Sequence, residues 1–72
     1  MGTAEKIKIL LLKRGMSQKA LAESLGMSPA SLNNKFRRES FDSEELETIA
    51  AKLDAKYTFK EWFTLNDTGE EI

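Results

Sequence analysis

The segment SQKALAESLGMSPASLN, residues 17–33, is the most informative stretch of this chain of 72 residues. It opens with Ser17, a residue type that caps helices, and apolar residues then recur at helical spacing. Gly26 is expected at positive φ, where the first helix of the segment must end. Ser28 is a second cap, and Pro29 follows it at the first helical position, where a missing N–H costs nothing. The segment therefore predicts two short helices joined by a tight turn.

Further helices are predicted on both sides of this segment. Thr3 is expected to cap a helix over residues 4–14, which carries an apolar stripe and ends before Gly15. On the other side, Asp42 and Glu45 have the spacing of a capping box. They predict a fourth helix, whose apolar positions are Leu46, Ile49, Ala50 and Leu53.

The C-terminal segment from residue 56 to residue 65 allows two interpretations. Apolar residues alternate with polar ones and aromatic residues are frequent, which favours a strand. Yet Phe59, Trp62 and Phe63 also satisfy the spacing of a helix. We favour the strand because little in the segment favours a helix. A turn at residues 66–69 and a short return strand are expected to follow.

Together these elements predict a mainly α fold of four to five helices, with a short C-terminal β-strand or hairpin. We expect a single domain over residues 1–72. Residues 4–54 are expected to form its helical core, and residues 56–72 are called here the C-terminal arm. A chain this short buries only about 60% of the surface that its unfolded form exposes, so its stability is marginal. Pairing with a second copy as a homodimer is therefore expected.

The composition excludes several classes of function. No cysteine or histidine is present, so we expect no metal site and no other cofactor. The longest apolar run, Ile9 to Leu12, is too short for a membrane span or a signal peptide. We therefore expect a soluble, cytoplasmic protein without a membrane partner. The sequence has no phosphate-binding glycine loop and no carboxylate pair placed for catalysis, so we expect neither enzyme activity nor a small-molecule substrate.

The charges of the two halves of the chain have opposite signs. Residues 1–40 contain eight cationic and three acidic side chains, a net charge of +5, whereas residues 41–72 contain three and nine, a net charge of −6. A basic half joined to an acidic half indicates a polyanionic partner for one surface. Ordinary solvated faces are the alternative explanation.

The segment 17–33 resembles the lambda-repressor-like helix-turn-helix family, also known as the Cro or xenobiotic-response-element (XRE) family. The resemblance depends on Gln18, the small Ala22, Gly26 and the capping Ser28, and the flanking helices extend it to residues 4–54. It implies a sequence-specific regulator of transcription that binds double-stranded DNA as a dimeric repressor of the Cro/XRE type. The third helix of the chain would lie in the major groove.

Two positions depart from the pattern of that family. Lys35 stands where an apolar residue is usual, and we infer that the neighbouring Phe36 fills this place in the core. Ala55 stands where a glycine commonly follows the fourth helix.

The expected orientation of the third helix follows from about 100° of rotation per residue. Leu32 and Phe36 define its buried face, which leaves Asn34 pointing outward. A carboxamide can pair with both N6 and N7 of adenine, so Asn34 is the first candidate for direct base readout. The residues expected to contact bases are Pro29, Ala30, Ser31, Asn33 and Asn34.

A second set of residues is expected to contact phosphates and so to position the domain. By resemblance, Gln18 would donate to a phosphate at the start of the second helix, and Ser28 would do so at the third. The expected phosphate contacts are Ser17, Gln18, Lys19, Ser28, Lys35, Arg37 and Arg38. For the serines, helix capping alone is a sufficient explanation, and the arginines would also suit a solvated helix end.

The C-terminal arm contributes the expected dimer interface. A second copy can add to an edge strand through main-chain hydrogen bonds. The residues expected at this interface are Tyr57, Phe59, Trp62, Phe63 and Leu65. The alternative is that the aromatic residues of the arm cover the core of the monomer.

One rival to the DNA-binding interpretation remains on the same fold. An antirepressor or an antitoxin-like subunit would keep the helix-turn-helix and bind another protein instead of DNA. The two hypotheses differ in what they expect of the basic face, because only binding to DNA should weaken steeply with salt.

Overall fold

The computed structural model describes residues 2–58 and 62–72, which form four helices and a small antiparallel sheet. The four helices are α1 (Thr3–Arg14), α2 (Gln18–Ser24), α3 (Pro29–Arg38) and α4 (Ser43–Lys52). The strands are β1 (Ala55–Thr58) and β2 (Trp62–Leu65). The mainly α fold with a C-terminal β-hairpin is thus confirmed, with four helices in the described residues.

The starts of α2, α3 and α4 were predicted correctly, because each is set by a side chain close in sequence. The hydroxyl of Ser17 accepts from the amide of Ala20 at 3.0 Å, and that of Ser28 accepts from the amide of Ser31 at 3.1 Å. At α4, the carboxylate of Asp42 and the side chain of Glu45 form the reciprocal capping box.

The start of α1 differs from the prediction. Thr3 is the first residue of the helix rather than its cap, and the N-cap is Gly2, which has no side chain to accept a hydrogen bond. The carboxylate of Glu39, which comes from the end of α3, accepts from the amide of Ala4 instead. A partner 35 residues away replaces the local cap.

The helix ends explain one of the two departures from the family pattern. Gly15 and Gly26 have φ angles of 64° and 72°, and the positive value at Gly26 confirms the prediction from the sequence. After α4, however, the residue at positive φ is Asp54, with φ 52°. Ala55 is already the first residue of β1, where the backbone requires no glycine.

The core joins all four helices to the hairpin. Ala22 is fully buried, and its helix α2 packs against α3. Leu32 and Phe36 are 1% and 4% exposed, so Phe36 does fill the core in place of Lys35. The other buried residues are Ala4, Ile7, Leu10, Leu11, Leu21, Leu46, Ile49, Ala50, Leu53, Ala55, Phe63 and Leu65.

The strand interpretation of the arm is confirmed, although the segment forms two strands rather than one. β1 and β2 pair antiparallel, with Tyr57 opposite Phe63. The expected return segment also pairs with β2, because Phe63 and Ile72 exchange both backbone hydrogen bonds, at 3.0 and 2.8 Å. β2 is therefore bonded on both sides.

Arg14 connects three parts of the chain. Its guanidinium donates to the backbone oxygens of Leu53 and Asp54 at 2.7 and 2.8 Å, and to both carboxylate oxygens of Asp67 at 3.0 and 2.8 Å. The hydrogen bond from Arg14 lowers the pKa of the Asp67 carboxyl to about 2. This cluster holds the ends of α1 and α4 against the turn after β2.

Residues 2–58 and 62–72 contain neither a candidate membrane-spanning helix nor a candidate metal site. None of their helices has the length and apolar character needed to cross a bilayer. They also contain no group of three or more Asp, Glu, Cys or His residues placed to hold a metal ion.

Candidate nucleic-acid interface

α3 divides cleanly into a buried face and an exposed face. Because Leu32 and Phe36 face the core, the remaining side chains of the helix, Lys35 excepted, are exposed. We call these exposed residues the outer face of α3. They are Pro29, Ala30, Ser31, Asn33, Asn34, Arg37 and Arg38. All five residues that were predicted to contact bases lie on this face.

The first turn of α3 is held by its own hydroxyl groups. Ser28 accepts from the amide of Ser31 and donates to the Ser31 hydroxyl oxygen at 2.9 Å. The hydroxyl proton of Ser31 is not used in that bond and can be donated elsewhere. The hydroxyl proton of Ser28 is thus used within the first turn, whereas Ser31 keeps a donor at the exposed start of the helix.

The last two turns of α3 carry the polar side chains of the outer face. Arg37 Nη1 lies 3.5 Å from Asn34 Oδ1, so the guanidinium orients the carboxamide with its NH₂ group on the other side. Among the described residues, no carboxylate pairs with Arg37 or Arg38. Two cations therefore remain available beside an oriented carboxamide.

Lys35 is held away from the outer face. Its Nζ lies 2.7 Å from Glu45 Oε2 at the start of α4. The hydrogen bond from Lys35 is the largest cause that lowers the pKa of the Glu45 carboxyl. A phosphate contact by Lys35, as predicted from the sequence, would require this ion pair to open.

The start of α2 presents a second polar group. Ser17 is occupied as the cap, while Lys19 is exposed and Gln18 is half-buried at the first position of the helix. Gln18 lines a shallow groove together with Lys8 of α1. The Nζ atom of Lys8 also lies 5.7 Å from the centre of the Phe36 ring.

Lys8 is a candidate phosphate contact that the sequence analysis missed. It is exposed, and it lies near both Gln18 and the C-terminal half of α3. The helical periodicity of α1 shows only that this lysine points outward. Its distance from α2 and α3 depends on how the helices pack, which no local pattern reveals.

The structure corrects part of the predicted dimer interface. Phe63 and Leu65 are 0% and 2% exposed, so they fill the core of the monomer and have no surface left to bury against a partner. Trp62 is 44% exposed and Tyr57 is half-buried, so these two remain accessible. Phe59 lies outside the described residues.

Comparison with known proteins adds two findings. A family model described as helix-turn-helix matches residues 7–59. Repressor protein CI of Enterobacteria phage phi80 is 39% identical over 50 residues, which are 69% of this chain and 21% of the phage protein. The chain therefore spans only a small part of the length of this curated relative. No solved structure matches the chain significantly.

Proposed function

The chain belongs to the lambda-repressor-like, XRE-type helix-turn-helix family, and on that premise we propose that it regulates transcription by binding double-stranded DNA. In this proposal α3 enters the major groove with its outer face toward the bases. The observation that carries the proposal is the orientation of α3. Leu32 and Phe36 anchor it in the core, and the exposed Asn34, Arg37 and Arg38 project from the opposite side.

Phosphate contacts position the domain in this proposal. The exposed first-turn amides of α2 and the side chain of Gln18 donate to one stretch of the backbone. Arg37 and Arg38 supply positive charge at the other end of the interface, and Lys8 adds to it from α1. Among the described residues, no carboxylate forms an ion pair with Arg37 or Arg38. Both charges can therefore act on phosphates.

Direct base readout falls mainly to Asn34. Its Nδ2 group donates to N7 of adenine, and its Oδ1 atom accepts from N6. The carbonyl oxygen has two lone pairs, so the long hydrogen bond from Arg37 at 3.5 Å can persist while Oδ1 accepts from the base. Ala30 and Pro29 offer apolar surface that suits a thymine methyl group.

A dimer of the Cro type is the finer form of the proposal, and the edge of β1 supports it. Among the described residues β1 pairs only with β2, whereas β2 also pairs with the end of the chain. The N–H and C=O groups of Phe63 point toward Ile72 and away from β1. Phe63 and Tyr57 are therefore a pair without mutual hydrogen bonds, and the N–H and C=O groups of Tyr57 point toward the free edge of β1. Two copies joined edge to edge at β1 would present two recognition helices to half-sites about one helical turn apart.

Tyr57→Pro tests this dimer. The substitution removes the outward N–H of β1 and leaves the hydrogen bonds between β1 and β2 in place. We expect sedimentation to show a shift toward the monomer for Tyr57→Pro, and a smaller shift for the control Tyr57→Ala. Equal shifts for both variants would mean that the side chain, and not the strand edge, makes the contact.

The repressor role is supported by the name of the phage relative, which is a repressor protein. A selection of bound sequences from random duplex DNA, repeated at two salt concentrations, tests the whole proposal. We expect one enriched motif and an affinity that falls steeply with salt. Weak binding that no sequence improves would favour a protein-interaction module on this fold.

A further inference from the structure

Glu39 occupies a backbone position that is unfavourable for its residue type. It ends α3 with φ 53° and ψ 37°, in the left-handed region where glycine is the common choice. The amide of the next residue, Ser40, bonds to the oxygen of Lys35 at 3.1 Å, which closes the end of the helix. A glutamate here costs backbone free energy that a glycine would not. Its side chain offers a reason for its presence.

That side chain ties the end of α3 to the start of α1. The two carboxylate oxygens of Glu39 lie 2.9 and 3.3 Å from the amide nitrogen of Ala4. First-turn amides have no partner within their own helix, and a negative charge there interacts favourably with the helix dipole. Since the N-cap Gly2 has no side chain to offer, the carboxylate of Glu39 serves as the cap.

Gly2 provides the room for this contact. A Cβ atom at this position would overlap Glu39 Oε1, so any larger residue would displace the carboxylate. The backbone of Gly2 has φ −79°, which every residue type adopts, so the space and not the conformation favours glycine.

We propose that Glu39 is a positioning residue for DNA readout, because its bond to Ala4 fixes the last turn of α3 against α1. The inference rests on the proposed function. Arg37 and Arg38 immediately precede Glu39, so movement of this turn would move both cations and the hydrogen bond of Arg37 to Asn34. The pair between Lys35 and Glu45 holds the same turn against α4. Together these two contacts hold the last turn of α3 in one position, and discrimination between DNA sequences depends on that position.

The charge of Glu39 has a separate effect that the test must remove. A carboxylate close to the DNA-binding surface repels phosphates, so neutralising it strengthens binding to every sequence. Glu39→Gln removes the charge and keeps an oxygen that can accept from Ala4. Glu39→Gly removes both the charge and the oxygen, and its backbone suits the left-handed position. The two variants therefore differ in two respects. Only Glu39→Gln keeps an acceptor for the amide of Ala4, and only Glu39→Gly favours the left-handed backbone conformation.

The measurement is the ratio of affinities for the selected DNA sequence and for random duplex DNA. We expect Glu39→Gly to lower this ratio by about three- to tenfold and Glu39→Gln by less than about twofold. Gly2→Ala, which changes no charge, should also lower the ratio. It should have little further effect in the Glu39→Gly background, because the carboxylate that it displaces is already gone. Equal ratios for the wild type and Glu39→Gly would overturn the inference.

Hydrogen exchange at the amide of Ala4 tests the tie without DNA. We expect this amide to be protected in the wild type and in Glu39→Gln, and to exchange faster in Gly2→Ala and Glu39→Gly. Unchanged exchange in Glu39→Gly would overturn the inference, whatever the DNA measurements show. If the wild type binds no sequence selectively while Ala4 remains protected, the proposed function has failed and only the structural tie stands.

Discussion

The outer face of α3 and the C-terminal arm use their side chains in opposite ways. α3 places Leu32 and Phe36 in the core and keeps its polar residues outside, so stability and the proposed recognition of DNA depend on different side chains of one helix. The arm contributes Phe63 and Leu65 to the core and leaves Trp62 exposed. Substitutions on the outer face should therefore change binding without unfolding the protein, whereas substitution of the buried residues Phe63 and Leu65 of the arm should lower its stability.

Phe63→Ala should give the largest effect and confirm the arm as a structural element. Phe63 is fully buried and packs on Tyr57, with the ring centres 5.2 Å apart. Removing a buried aromatic ring typically costs about 3–5 kcal/mol of the free energy of unfolding, which is much of the stability of a small domain. Urea denaturation followed by circular dichroism measures it. The control Leu12→Ala removes an apolar side chain that is 81% exposed, and its cost should stay below about 0.5 kcal/mol.

The double substitution of Arg37 and Arg38 by Gln should give the next largest effect, on binding alone. Losing the two proposed phosphate contacts should make the negative slope of log affinity against log salt shallower by about 1.8. The affinity at 0.1 M salt should fall by roughly 50-fold. The loss should be larger for selected than for random DNA, because Arg37 also orients Asn34, and the urea midpoint should stay unchanged. As a control, Lys52 and Lys56 are replaced by Gln, which removes the same charge from exposed positions in the other half of the chain. Equal slopes for the two double variants would place the phosphate contacts elsewhere.

The helix starts and the buried face of α3 were predicted from the sequence because they depend on residues that are close together in the chain. The caps Ser17, Ser28 and Asp42 each bond to an amide three residues ahead, so the helix starts could be identified from short patterns. The inward position of Phe36 followed from its spacing of four residues from Leu32.

Contacts between distant residues account for what was missed. Glu39 and Ala4 are 35 residues apart, and Arg14 and Asp67 are 53 apart. No periodicity links such pairs, because their proximity arises only when the helices pack. The same limit applied to the arm. Alternation predicted a strand, but whether Phe63 faces the core or a partner depends on what lies beneath the hairpin.

Asn34→Ala separates base readout from phosphate contact within α3. It removes the only group proposed to pair with two atoms of one base, so it should cost about 1–3 kcal/mol on the selected sequence and little on random DNA. Competition binding with both DNAs measures the difference. Asn33→Ala is the matched control, since Asn33 is also exposed but does not share the hydrogen bond with Arg37 that orients Asn34. An equal loss on both DNAs would show that Asn34 contributes no sequence information.

The smallest effect is expected at Asp67, where the arm meets the helices through an exposed ion pair. The hydrogen bond from Arg14 lowers the pKa of Asp67 from the ordinary 3.8 to about 2 in the folded protein. A lowered folded-state pKa means that this pair stabilises the fold fully above the ordinary pKa, and that the contribution is lost as the pH falls toward 2. The free energy of unfolding of the wild type should therefore exceed that of Asp67→Asn at pH 6, and the difference should shrink between pH 5 and pH 2. Both variants share every other carboxylate, so a difference that stays constant over this range would mean that Asp67 is not paired with Arg14 in solution.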